Sequence, residues 1–204
     1  MNTAAISYPV TVRGDLSAPP GRWLWLVKWL LSIPHWIVLA VLAIVGFFAW
    51  LIALFAILFT GKYPRGLFNY NVGVLRWAWR VAFYGYAALG TDRYPPFSMD
   101  PDPNYPADLD VVYPETLSQG LVLVKWWLLA IPHYIIVGFF NGSSDGGGLT
   151  FFLALVGSIA NLFTGKYPED IFNLVVGMNR WSFRTYAYAI LTTDRYPPFR
   201  LWDN

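Results

Sequence analysis

Long apolar stretches separated by short polar turns run along this chain. Apolar stretches lie at 23–59, 121–140 and 149–163, and stretches 68–89 and 172–191 are apolar except for one polar stripe. A helix that crosses a bilayer needs roughly 20 apolar residues, or about 17 where the bilayer is thin. The pattern therefore predicts several membrane helices.

Three motifs occur twice, which indicates two tandem copies of one module. They are FTGKYP at 59–64 and 163–168, TDRYPPF at 91–97 and 193–199, and Ile-Pro-His at 33–35 and 131–133. Repeated motifs meet similar surroundings, so we expect a pseudo-symmetric protein. We divide the chain into module one (1–97), an acidic proline-rich linker with the lead of module two (98–118), and module two (119–204).

A polar run from Asn141 to Gly148 interrupts the apolar part of module two. Such a run is typical of a turn, and irregular backbone exposed to lipid is not tolerated in hydrocarbon. We therefore predict a proline-kinked transmembrane helical hairpin in each module, with its tip at this run in module two and near Gly46 in module one. The fold class is an all-α membrane protein of two pseudo-symmetric modules.

Two further elements complete each module. Alternating residues at 8–13 and 107–112 predict short juxtamembrane strands. The third helix carries tryptophans beside a polar stripe with two arginines, which is typical of an amphipathic helix in the headgroup layer. The sequence leaves open the alternative that this third helix spans the membrane.

The charge pattern predicts the side of the membrane. Only 13% of residues are charged and 56% are apolar, whereas a soluble domain has about 25% charged residues. None of the fourteen Lys and Arg residues falls in a predicted hairpin tip, so we place both termini in the cytoplasm of a multi-pass protein. Two spans per module also keep both copies of each motif on one side; three spans per module, as in transporters with inverted repeats, is the alternative.

The basic residues are the candidate lipid-binding or anion-binding site. Those on the third helices lie one helical turn apart, so each pair presents two guanidinium forks that suit a phosphate. Simple attraction to anionic lipid, worth about 1 kcal/mol per basic residue, is sufficient on its own to account for them. The candidates are Arg76, Arg80, Arg180, Arg184, Lys62 and Lys166. We expect the acids of the linker to be solvated, with pairing to these arginines as the alternative.

His35 and His133 are the candidate intramembrane polar site, because an ionisable side chain in a span is costly and usually has a task. Each follows a proline, Pro34 or Pro132, which leaves a main-chain carbonyl without its helical partner. The alternative is a neutral histidine that only forms a hydrogen bond within the protein. Catalytic signatures, cysteines and a third metal ligand are missing, so we predict no enzyme, metal or cofactor, and no nucleic-acid partner.

The Ile-Pro-His helix, the FTGKYP turn, the Arg/Trp helix and the closing DRYPPF resemble the bacterial membrane family called domain of unknown function 4389, over both modules. The resemblance implies a membrane location, here the bacterial cytoplasmic (inner) membrane, and no particular reaction. We expect a lipid-binding scaffold or accessory subunit whose partners are anionic lipids and another membrane protein. The alternatives are a small transporter or channel past the histidines, and a lipid-modifying enzyme with Asp92 or Asp194 beside a histidine.

Overall fold

The computed structural model describes residues 8–16, 19–142 and 147–202. Its helices are α1 (Lys28–Thr60), α2 (Arg65–Tyr84), α3 (Ile131–Asn141), α4 (Leu149–Thr164) and α5 (Glu169–Ala189). Strands β1 (Val10–Gly14) and β2 (Ala107–Val111) pair antiparallel, with Val12 opposite Leu109. The predicted short strands and the mostly helical repeat are confirmed, and the two strands pair with each other.

The elements form three layers. The sheet packs on α2 and α5, and α1, α3 and α4 pack on other faces of the same two helices. On α2, Arg76 and Arg80 contact the sheet, whereas Ala78 and Ala82 line a groove between the modules. Residues two apart on a helix lie about 200° around its axis, so this groove lies on the side away from the sheet.

The two modules are intertwined. Strand β1, from module one, packs on α5, and β2, which leads module two, packs on α2. The main-chain nitrogen of Leu117 donates to the carbonyl of Gly61 at 2.8 Å, and Nδ2 of Asn161 donates to the carbonyl of Pro20 at 2.7 Å. The end of α1 therefore lies at the start of module two, and the end of α4 lies at the start of module one.

The predicted hairpin of module one does not form, because α1 runs unbroken through Gly46 for 33 residues. A lone glycine costs a helix about 1 kcal/mol and here has no turn residues beside it. The missing side chain also admits a neighbour, since a Cβ at Gly46 would lie 3.2 Å from Oδ1 of Asn71. The prediction of a tip near Gly46 is therefore wrong.

In module two the predicted polar run does separate two helices, but the chain does not turn back. Before the run, Trp126 contacts Trp50 in the second half of α1; after it, Phe151 lines a cavity with Trp36 in the first half. The main-chain nitrogen of Gly148 donates to the carbonyl of Asn141 at 3.2 Å, and Oγ1 of Thr150 donates to the carbonyl of Phe140 at 2.8 Å. The interval between Ile-Pro-His and FTGKYP is six residues longer here than in module one. Helices α3 and α4 thus correspond to α1 with an insertion, of which residues 143–146 lie outside the described residues.

Within the described part of the chain, only α1 is long and apolar enough to cross a bilayer, and α3 and α4 are apolar but shorter. The predicted arrangement of four spans in two transmembrane hairpins is not confirmed.

Candidate membrane-contact surface and repeated anchor sites

Helices α1, α3 and α4 form an apolar layer on the side away from the sheet. Helix α1 turns only one stripe inward, which includes Lys28, His35 and Ala53, and no Lys, Arg, Asp or Glu follows Lys28 before its end. Large apolar side chains are exposed along its whole length and on module two; they include Ile37, Ile44, Phe48, Ile52, Phe59, Ile135, Phe139, Phe152 and Phe163. A contiguous apolar surface of this extent marks a contact with a membrane or another protein.

The arginines of α2 hold the sheet. Nε of Arg76 donates to the carbonyl of Leu109 at 2.7 Å, and its guanidinium pairs with Asp110 at 3.0 Å. The fully buried Arg80 pairs with Asp108 at 3.0 Å. Two linker acids, which we expected to be solvated, are therefore partners of these arginines.

The arginines of α5 take equivalent places. Nε of Arg180 donates to the carbonyl of Val12 at 3.0 Å, and Arg184 donates to the carbonyl of Arg200 at 3.2 Å. These contacts correct the prediction that the third helices lie in the headgroup layer, because the guanidinium groups bind strands and main-chain carbonyls instead of water and headgroups. Lipid binding by the four arginines stays a prediction, and a phosphate would have to displace these protein acceptors.

His35 lies in an aromatic box that is fully buried. Nε1 of Trp77 donates to its Nδ1 at 3.1 Å, and its ring stacks on Phe97 with centroids 4.0 Å apart. A ring nitrogen that accepts an indole N–H carries no proton. The geometry thus favours a neutral imidazole that bonds within the protein.

His133 repeats this box in module two. Nε1 of Trp181 donates to its Nδ1 at 2.9 Å, and the ring of Phe199 stacks on it with centroids 4.4 Å apart. The described residues place no carboxylate in hydrogen-bond contact with either histidine. Both boxes therefore serve the same packing role at equivalent positions.

The tyrosine of each TDRYPPF motif forms a hydrogen bond with the main chain near the proline of its module. Pro34 lies inside α1, and Pro132 is at the start of α3. The hydroxyl groups of Tyr94 and Tyr196 donate to main-chain oxygens at 3.0 Å each, those of Leu31 and Leu129. Because these oxygens accept a hydroxyl, part of the polar backbone near the prolines is satisfied by the motif itself.

Each first helix begins with a buried ion pair that sequence reasoning missed. Nζ of Lys28 lies 2.9 Å from Asp92, and Nζ of Lys125 lies 2.7 Å from Asp194. Both lysines are fully buried, so the carboxylates compensate charges that would be costly without a partner. The alternative of a lipid-modifying enzyme places these two aspartates beside a histidine, and they pair with the helix starts instead.

A one-residue difference hid this equivalence. Lys28 stands six positions before its proline and Lys125 seven positions before. Residues Lys125–Leu129 form a π-helix, which holds more residues per turn than an α-helix, so the extra residue is absorbed. A lone lysine at the start of each apolar stretch was the signal that could have revealed the pair.

Lys62 and Lys166 are exposed in the turns that end α1 and α4. Gly61 and Gly165 end the helices in the left-handed conformation, with φ of 68° and 72°, which glycine adopts without strain. Of the candidate lipid-binding residues, these two lysines are the ones that solvent reaches at the ends of the apolar layer.

Buried tyrosines form hydrogen bonds inside the protein, and Tyr63 joins the two modules. The hydroxyl of Tyr63 donates to the carbonyl of Ile190 at 3.3 Å and accepts from Asn71 at 2.8 Å. Burial raises the pKa of Tyr63 to about 12, against the opposing effect of the bond from Asn71, and burial also raises the pKa of Tyr105. Both hydroxyls therefore stay protonated near neutral pH and can donate.

These features define a mostly helical protein of two intertwined copies of one module with an apolar outer layer. Comparison with protein families matches residues 22–99 and 123–200 to the domain of unknown function DUF4389. The chain belongs to this family, in two tandem copies, as its motifs predicted. No curated protein and no solved structure matches the chain. The described residues contain no cluster of three or more His, Cys, Asp or Glu that could hold a metal.

Proposed function

We propose that this protein is a non-catalytic, lipid-binding scaffold or accessory subunit of the bacterial cytoplasmic membrane, with both termini in the cytoplasm. The observation that carries the proposal is the apolar layer, whose outer side chains on α1, α3 and α4 are exposed. Moving apolar surface from water into lipid is favourable by roughly 25 cal/mol per Å². Membrane contact therefore gives this surface a stable environment.

Lys62 and Lys166 support the anionic-lipid part of the proposal. Both are exposed at the ends of the apolar layer, where the headgroups of an adjoining bilayer would lie. A basic residue near an anionic surface contributes about 1 kcal/mol. We expect these lysines, and not the buried arginines, to select anionic phospholipids.

The histidine boxes favour a scaffold over a conduit. A path for ions or solutes past His35 and His133 would require both side chains to face a polar cavity between the modules. Each is instead packed against aromatic rings and bonded to an indole. A lipid-modifying enzyme is also disfavoured, because Asp92 and Asp194 pair with buried lysines.

The first experiment asks where the protein resides. We expect it in the membrane fraction after washing at alkaline pH, and recovery in the soluble fraction would contradict the proposal.

The second experiment measures copurified phospholipid. The double variant Lys62→Gln/Lys166→Gln should reduce the anionic fraction, whereas Lys62→Arg/Lys166→Arg, which keeps both charges, should not. An equal anionic fraction in the Gln and Arg variants would contradict the proposed anionic preference.

A further inference from the structure

We propose that the apolar layer lies within one leaflet, with α1 and the α3–α4 pair parallel to the membrane plane instead of crossing it. The inference rests on the membrane contact of the proposed function and specifies its geometry. The partner is the acyl and glycerol region of a single leaflet, with the headgroups around the rim of the layer.

The two long units of the layer run antiparallel, side by side. Trp36, in the first half of α1, and Phe151, at the start of α4, line one cavity of about 340 Å³. Trp50, in the second half of α1, contacts Trp126 at the start of module two, with ring centroids 5.3 Å apart. The apolar layer therefore consists of two antiparallel units, α1 and the α3–α4 pair. The start of α3 lies beside the second half of α1, and the start of α4 lies beside its first half.

The repeated motifs lie at opposite ends of α1. TDRYPPF of module one binds the start of α1 through Asp92 and Lys28. TDRYPPF of module two binds Ser118, through Asp194 at 2.5 Å, next to the segment that meets the end of α1. If α1 crossed the bilayer, identical motifs would face opposite compartments, whereas an in-plane α1 keeps both on one face.

If α1 crossed the bilayer, the sheet and its acidic residues would be carried into the membrane with it. Helix α2 lies alongside α1, since Trp77 bonds to His35 and the hydroxyl of Tyr70 donates to the carbonyl of Leu42 at 2.9 Å. Between these two contacts Arg76 pairs with Asp110, whose side chain is 71% exposed. A crossing α1 would carry this carboxylate to the depth of the hydrocarbon, where a charged side chain is costly. An in-plane layer leaves the sheet and its acids in water.

The length of α1 agrees with this orientation. Its 33 residues extend about 50 Å at 1.5 Å per residue, against a hydrocarbon core of about 30 Å. Helices that lie in the interface need a polar side turned from the lipid. Here α2 and α5 cover the inward stripe of α1 and its counterparts, including Lys28, Ser32 and His35, and so take the place of that polar side.

The absence of cysteine allows a direct test with single-cysteine variants of the full chain. Ile37→Cys, Ile44→Cys and Phe55→Cys lie within about 20° of one line along the outer side of α1, at 62%, 63% and 50% exposure, so a nitroxide label should not disturb the fold. In reconstituted liposomes we expect the three labels at one depth. A label at Ile44 that lies about 10 Å deeper than the label at Ile37, the rise of seven helical residues, would overturn the in-plane orientation.

A second measurement uses sidedness. Lys62→Cys and Lys166→Cys, treated with an impermeant maleimide on sealed vesicles of known orientation, should react from the same face, and reaction from opposite faces would reject the proposal. The control is a label at Asp110→Cys on the sheet, which should report water. If all three labels on α1 are as water-exposed as this control, the membrane contact fails and the proposed function fails with it. A depth gradient along α1 would reject only the in-plane orientation.

Discussion

The first helix of module one and its counterpart in module two differ in shape but hold the same partners. Helix α1 is one unbroken α-helix, whereas the counterpart begins with a π-helix and is interrupted between Asn141 and Gly148. Even so, both bind an aspartate through a lysine and a tryptophan through a histidine. The start of the helix is therefore fixed by buried polar contacts, and the middle is free to vary.

Physical chemistry accounts for this difference in tolerance. A buried charge or N–H group that loses its partner carries its full desolvation penalty. The side chains that follow these anchors are mostly apolar and face outward, so an insertion there does not remove a partner of the lysine or of the histidine. Equal losses at the anchors of both modules, and small effects in the middle, are the expectations that test this comparison.

The largest effect should follow loss of a carboxylate from a buried lysine. Asp92→Ala and Asp194→Ala each leave a fully buried ammonium group without its counter-charge. We expect each to lower the free energy of unfolding in mild detergent by about 3–5 kcal/mol. The control Glu115→Ala removes an exposed acid and should change little. A large loss in only one module would show that the two anchors are not equivalent.

A double-mutant cycle tests the histidine boxes. His35→Phe leaves Nε1 of Trp77 without an acceptor, at a cost of about 1–3 kcal/mol, whereas His35→Phe/Trp77→Phe removes both partners and should cost less than the sum of the single changes. The cycle at His133 and Trp181 should give a similar coupling. Additive effects would mean that the indole–imidazole bond contributes nothing.

The sequence predicted what depends on local pattern. The repeat, the two short strands and the Arg/Trp helices were found, because periodicity and repeated motifs mark them directly. The prediction of hairpins was wrong, because a polar run such as Asn141–Gly148 gives the same signal whether the chain turns back or carries an insertion. The pairs Lys28–Asp92 and Lys125–Asp194 also escaped prediction, because each joins segments far apart in the chain. Pairing of linker acids with Arg76 and Arg80 was an alternative that the sequence left open, because composition does not distinguish a solvated acid from a paired one.

Removing the insertion should convert module two into the shape of module one. Deletion of residues 142–147 gives α3 and α4 the spacing that α1 has between its histidine and the FTGKYP turn. Loop length alone has a weak effect on stability, about 0.6 kcal/mol per doubling, and the joined helix would keep the register of α1, so we expect stability within about 1 kcal/mol of the parent and a higher helical content by circular dichroism. Loss of the folded state would show that the insertion is required and that the middle is not free.

The smallest effect is expected where the π-helix absorbs one extra residue. Deletion of Trp127, which is exposed, places Lys125 six positions before its proline, as Lys28 already is. Because an α-helical start of that length reaches Asp92 in module one, the pair with Asp194 should persist and the free energy of unfolding should change by about 0.5 kcal/mol or less.

The matched control deletes Trp29, which shortens the spacing in module one to five and turns Lys28 about 100° around the helix, away from Asp92. That control should lose several kcal/mol, as expected for a broken buried pair. Equal losses from both deletions would show that the π-helix is itself required, and that the two helix starts are not alternative ways to place one lysine.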